Sequence, residues 1–219
     1  SARDAVRDVG GLECIIAWLV DCSTPVSQCL TTIALKNLAL SPDLQVEIAN
    51  MGGIEEFVKL LKSKDEDSRI ASSGAIMNLA DNATLRGPII KAGAIPPLVD
   101  ILREEGVLFE RKLDCETALC TLALDPAADK DMTKDDLIIR VLIEIVTLGS
   151  PKGRELASLG IENLALYQAA NRVIIKDLQG LPPLVIDGDD PMDANGLAGG
   201  EQLTIWGTEI DMREVELRI

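Results

Sequence analysis

Between Met51 and Asp81 the apolar positions fall into two helical patterns separated by a charged break. Ile54, Phe57, Val58 and Leu61 stand at i, i+3, i+4 and i+7, the spacing of one buried helical stripe. Lys62 to Asp67 is too polar for a core, and its serine and aspartates suit a helix N-cap. A second, longer helix is predicted to follow, with Ala71, Ser72 and Ala75 small enough to let a neighbour approach closely. It closes on Asn78-Leu79-Ala80.

The stretch recurs. After a Gly pair or its equivalent, an aliphatic residue opens a helix at Leu12, Ile54, Ile95, Leu137 and Leu181, at steps of 42, 41, 42 and 44 residues. The Asn-Leu-Ala close returns at Asn37, Asn78 and Asn163, with Thr121-Leu122-Ala123 as the third copy, at steps of 41, 43 and 42. Two independent markers keeping one period define a repeat array. A short helix precedes the Gly pair in LQVEIANMGGI, LRGPIIKAGAI and ANRVIIKDLQGL. Each unit is therefore one short and two longer helices.

Read in order, Leu12 to Val20 and Val26 to Leu40 are the first pair of long helices, the latter opened by Ser23-Thr24-Pro25. Ser41-Pro42 and Ser150-Pro151 repeat that cap-and-proline device. The loop from Glu104 to Phe109 is slightly longer than its counterparts, and the short helix at Asp129 to Asp136 is unusually polar. The last long helix closes at Leu166, and a fifth repeat starts at Ala169 and breaks off near Ile186.

These features resemble the armadillo repeat family. Ala92-Gly-Ala-Ile-Pro-Pro-Leu-Val99, Met51-Gly-Gly-Ile54 and the Asn-Leu-Ala closes carry the resemblance, over roughly residues 1 to 185. HEAT repeats are the near alternative; the third helix of each unit and the Gly-Ala-Ile-Pro-Pro-Leu-Val segment argue against them. The resemblance implies an all-α fold: a right-handed α-solenoid of about four armadillo-type repeats with an irregular acidic C-terminal tail. It divides the chain into a solenoid, 1–185, and a tail, 186–219.

From Ile186 to Ile219 there are nine acidic and two basic residues, about half of the chain's net charge of −15. GDDPMDANGLAGG has turn residues throughout and no helical period. Beyond it, Leu203, Ile205 and Trp206 make a strand-like apolar run, a candidate anchor for a partner protein. Aligning Asn195-Gly196 with a calcium loop puts Pro191 and Gln202 where Asp and a bidentate Glu are needed, so the segment reads as a solvated acidic turn.

The 219 residues include no histidine, which removes the usual general base and a frequent metal ligand. Serine-hydrolase, Cys–His and His-based zinc sites are excluded, and no phosphate-binding glycine motif appears. No cofactor, metal or catalytic residue is assigned, and the chain is read as non-enzymatic. A pI near 4.4 argues against nucleic acid and favours basic protein segments. No apolar run is long enough to span a membrane.

Cys14, Cys22, Cys29, Cys115 and Cys120 lie mostly in apolar helical stretches. They read as reduced, packed thiols rather than metal ligands, with a Cys22–Cys29 disulfide weighed and set lower. A reducing intracellular compartment follows, the cytoplasm first. Import into an organelle is the second expectation, because the chain opens at Ser1 without Met.

In the armadillo family the third helices line a concave groove where an Asn near each close holds a ligand's backbone. The resemblance places that role on Asn37, Asn78 and Asn163, with Thr121 the departure and Thr117 a neighbouring groove position. Members that bind nuclear localisation signals carry Trp four residues before that Asn; here those positions are Ile33, Gly74, Thr117 and Leu159. The same Asn residues have a structural alternative, bonding neighbouring loops or their own helix. Two functions are expected on these grounds. One is a scaffold subunit of a hetero-complex, binding through the concave face, outer faces and tail. The other is an adaptor for an extended basic segment in the groove.

Overall fold

The computed structural model describes residues 5–7, 9–104, 107–125, 137–167, 202–205 and 208–211. Its helices are α1 (Gly11–Asp21), α2 (Pro25–Leu38), α3 (Pro42–Asn50), α4 (Gly53–Leu60), α5 (Glu66–Ala80) and α6 (Ala83–Lys91). They continue as α7 (Ile95–Arg103), α8 (Phe109–Leu122), α9 (Leu137–Leu148) and α10 (Pro151–Tyr167). The long helix predicted to reach Leu40 stops at Leu38, with Ala39 as its C-cap.

The periodic glycines are turns that only glycine makes cheaply. Gly10, Gly52 and Gly93 stand at φ 70°, 84° and 85°, the left-handed region. Each turns the chain from a short helix straight into the second helix of the same repeat. The residue after the turn is also crowded. At Gly53 a Cβ would lie 2.5 Å from Ile48 Cγ2 and 2.7 Å from the Ile48 carbonyl oxygen. This double constraint accounts for the Gly pairs at 10–11 and 52–53, whereas at the next copy only the left-handed Gly93 is kept and Ala94 follows it.

Three of the predicted caps form, while Ser41 stands at the N-cap position before Pro42 without a side-chain cap bond. Thr24 precedes Pro25 at the first helical position and accepts from Ser27 N at 3.2 Å. Asp65 accepts from Ser68 N at 2.8 Å, so the charged break before α5 is its N-cap. Ser150 Oγ accepts from Gly153 N at 2.9 Å at the start of α10.

One continuous core runs through the stacked helices, with Phe57, Leu61, Ile76, Leu79, Leu98 and Leu119 fully buried. The third helices α2, α5, α8 and α10 pack side by side in that order, each against its own repeat's second helix. Leu79 and Leu164, expected where third helices stack, are both fully buried. The central α5 is narrow at the contact, since Ala71, Ser72, Ser73, Gly74 and Ala75 are all buried. Its small face lets α2 and α8 close in from both sides.

Every element described through residue 167 is helical. In the tail, β1 (Gln202–Ile205) and β2 (Thr208–Asp211) pair as an antiparallel hairpin, with Leu203 opposite Ile210 and Ile205 opposite Thr208. The strand-like run at Leu203 to Ile205 is thus β1, and Thr208–Asp211 is its pairing strand. Trp206, the polar segment Asp129 to Asp136 and the start of the fifth repeat at Ala169 lie outside the described residues.

Candidate functional site

The row of third helices carries the predicted groove positions, and they differ in access. Asn37 is exposed and Asn163 half-buried. Asn78 is only 2% exposed, and Thr117 and Thr121 are buried as well. Thr121 Oγ1 donates to the Thr117 carbonyl one turn back at 2.8 Å, a bond within its own helix.

Two of the asparagines bond the preceding repeat. Asn78 Nδ2 donates to the Lys36 carbonyl at 2.8 Å, and Asn163 Nδ2 donates to the Ala123 carbonyl at 2.8 Å. Both acceptors belong to the end of the third helix before, where the last carbonyls have no partner within the helix. At these two positions the amide N–H therefore ties adjacent repeats together.

A second set of ties has no residue-type signature in the sequence. Gln45 Nε2, on α3, donates to the carbonyls of Ala39 at 3.0 Å and Asn78 at 2.9 Å. Arg86, on α6, donates from Nε to the Ala80 carbonyl at 2.8 Å. Gln45 and Arg86 stand 41 residues apart, as do Ala39 and Ala80, so this is one device kept by the period. The buried Glu116 carboxylate on α8 accepts from Ser150 N at 3.0 Å and from Ser150 Oγ, placing negative charge at the start of α10. Gly153 makes room for it, because a Cβ there would sit 1.7 Å from Glu116 Oε1.

Ion pairs cross the row between repeats. Arg69 Nη2 donates to both Glu104 carboxylate oxygens at 2.7 Å, while Nη1 donates to the carbonyls of Ser63 and Lys64. Arg111 reaches back to Glu66 at 2.9 Å and to Asp67. Lys36 on α2 pairs with Asp114 on α8, two repeats away, passing over α5 at Gly74.

One apolar stripe on the row is open to solvent. Val26 and Leu30 on α2 are 69% and 62% exposed, and Ile33 and Leu40 continue the line around Asn37. Trp18 on α1 is 61% exposed. In the register of the next repeat, those four positions hold Asp67, Ala71, Gly74 and Asp81, which are polar or small. The stripe therefore belongs to the first repeat and is not a general feature of the row.

Among the described residues, no cluster of three or more Cys, Asp or Glu side chains is placed to hold a metal ion. No described helix is long and apolar enough to cross a membrane. All five cysteines are free thiols, and burial pushes those of Cys115 and Cys120 far up, so neither is a ready nucleophile or ligand. Glu162 on α10 is buried, and its Oε2 has no hydrogen-bond partner among the described residues. Desolvation pushes its carboxyl up to about 7.

Helix triplets stacked at a period near 42 residues, with left-handed glycines between first and second helices, define an α-solenoid of the armadillo type. Comparison with known proteins agrees. Residues 41–81 match the model of the armadillo/beta-catenin-like repeat. Vacuolar protein 8 of Schizosaccharomyces pombe is 37% identical over 84 residues, which is 38% of this chain and 15% of that protein. Its Candida albicans counterpart is 36% identical over 87 residues, 40% of this chain and again 15% of the relative. The match thus spans about a seventh of these relatives' length.

Among solved structures, an engineered protein superimposes with a TM-score of 0.67 at 27% identity, over 80% of this chain and 70% of its own. A designed armadillo repeat protein in complex with the peptide (KR)4 gives 0.63 at 20% identity, over 79% and 72%. The armadillo repeats only protein of Plasmodium falciparum gives 0.61 at 19% identity, over 80% and 83%. Residues 41–81 thus match an armadillo repeat and the described helices share the fold of armadillo solenoids, a fold that generally serves as a protein-binding scaffold.

Proposed function

We propose that the chain is a non-enzymatic scaffold subunit that holds a partner protein against the third-helix face of its first repeat. The exposed stripe of Val26, Leu30, Ile33 and Leu40 around Asn37 supports this reading most directly. Contiguous apolar surface open to water is costly, and patches of this kind mark interaction sites. Asn37 adds a polar group in the middle of the patch. The tail hairpin carrying Leu203 and Ile205, followed in the sequence by Trp206, is a second contact to the same complex. Five free thiols support a reducing compartment, with the cytoplasm as the working assignment.

The test starts with affinity purification of the full chain and identification of the stoichiometric partner. The double variant Leu30→Glu with Ile33→Glu is then measured against that partner. Both side chains are exposed, so the thermal midpoint should stay where it is while affinity falls at least about tenfold, the loss typical of an apolar anchor. Wild-type affinity in the double variant refutes the reading.

The second reading, an adaptor for an extended basic segment, has its own support. The chain carries a net charge of −15, and a similar fold, the designed armadillo protein, is found in complex with (KR)4.

A further inference from the structure

We propose that the outer side of α1 holds a docking pocket for an amphipathic helix of a partner protein. That helix carries one apolar anchor side chain with a basic residue a turn to either side of it. The site lies on a second helix, away from the exposed stripe of α2, and does not depend on the role given to that stripe.

A cavity of about 460 Å³ opens between α1 and Met51, the residue that ends α3. Ile16, Ala17, Val20 and Met51 are its apolar lining, and Glu13 and Asp21 are its acidic members. This is not a surface that another repeat would cover. Positions 13, 17 and 20 correspond to Glu55, Lys59 and Lys62 in the second repeat and to Pro96, Asp100 and Arg103 in the third. All six stay exposed, although both of those repeats have a neighbour on each side. Trp18 behaves differently: its counterparts Leu60 and Ile101 are 5% and 2% exposed, so its own exposure is that of the end of a stack. On the solvent side, the second and third repeats place a charge at each of the positions matching 17 and 20. The first repeat alone among these three has Ala17 and Val20 there, and Val20 is 52% exposed. An apolar hollow where its sister repeats are charged is surface kept for a contact.

Charge selects the occupant. Neither Glu13 nor Asp21 has an ion-pair partner among the described residues. They stand eight residues apart on α1, a rise of about 12 Å. A helix lying alongside α1 repeats that span when its basic residues stand four positions before and four after its anchor. The anchor then enters the hollow over Ile16, Ala17 and Val20, and the two carboxylates at its rim fix the register and speed the encounter. Met51 suits such a pocket, because its unbranched thioether reshapes around the side chain that enters. A second copy of the chain is a poor occupant, since it would bring the same two acidic residues against this pair.

The test is a nuclear magnetic resonance titration of the full chain, labelled with nitrogen-15, against an alanine-rich helical peptide. The peptide carries one phenylalanine with a lysine four residues to either side. Saturable shifts should centre on the amides of residues 13 to 21 and of Met51. A peptide with alanine in place of the phenylalanine, or with glutamates in place of the lysines, should bind at least about tenfold more weakly. Ala17→Lys with Val20→Lys gives the first repeat the residues that the second already carries at these exposed positions, so the fold should stand while affinity falls at least about tenfold. Glu13→Gln with Asp21→Asn should weaken binding about two- to fivefold, the range exposed ion pairs are worth, and reduce its dependence on salt. Circular dichroism and the thermal midpoint report that each variant is folded. Native affinity in the double lysine variant overturns the proposal, as does the absence of saturable shifts in the native chain. Self-association of the native chain that the double lysine variant abolishes would make a second copy the occupant and also overturn it. Leu30→Glu with Ile33→Glu should bind the peptide as the native chain does; loss of binding there would place the peptide on the third-helix face instead and overturn the assignment to α1.

Discussion

Asn78→Ala removes the donor that closes the last turn of α2 from the next repeat. The Asn78 side chain is 2% exposed and its Nδ2 reaches the Lys36 carbonyl at 2.8 Å, so water does not readily replace it. Losing a typical internal hydrogen bond costs about 1 kcal/mol, and leaving a buried acceptor unpaired raises that to about 1–3 kcal/mol. Alanine is the better helix former and returns roughly 0.5 kcal/mol. The net expectation is a loss of about 1–2 kcal/mol. With a urea m-value of about 2 kcal/mol/M, the unfolding midpoint falls by roughly 0.5–1 M. Asn78→Asp should cost more, because it sets a second acceptor against the carbonyl and buries a charge. Urea titration followed by far-ultraviolet circular dichroism measures both. An unchanged midpoint in Asn78→Ala would refute the structural role and return the amide to the list of groups available to a ligand.

Leu79→Ala, in the fully buried seam beside it, should lose about 2–5 kcal/mol through the cavity left behind. Hydrogen exchange should rise first in α2 and α8, since a linear array loosens at its nearest neighbours. Glu162 gives the pH dependence. Its folded carboxyl titrates near 7, above the ordinary range near 4.5. The folded state therefore holds a proton that the unfolded chain has released, and this group's contribution to stability declines as pH rises from about 4.5 to about 7. Glu162→Gln should flatten that decline in melting midpoints measured from pH 5 to pH 8; an unaltered slope would show that another group titrates.

Much of the architecture is legible in the sequence, because its signals are local. A left-handed glycine at position 52, a proline at the first turn after Thr24 and an N-capping Asp65 act within a few residues of themselves. The stripe of Ile54, Phe57, Val58 and Leu61 needs only the 3.6-residue turn to become one face. Repetition then multiplies each signal, and stacking is the one arrangement that buries every copy of that face. The tail's composition likewise separates it from the repeats, though the partner strand Thr208–Asp211 is too short and acidic to stand out.

The row of third helices is where reading by position stops. Asn37, Asn78 and Asn163 occupy one register, yet one is exposed and the other two bond the repeat before them. Gln45 and Arg86 do the same work at the same spacing but share no residue type, and their acceptors are backbone carbonyls that every residue has. In the sequence Gly74 and Gly153 are merely weak helix residues. Only when helices far apart in the chain pack together does the space over one admit Lys36 and Asp114, and the space beside the other admit Glu116. A helix begins and ends by interactions within a turn or two, so its residues determine it; what fills the space beside Gly74 and Gly153 comes from side chains 37 to 40 positions away, and only the stack decides which of them arrive.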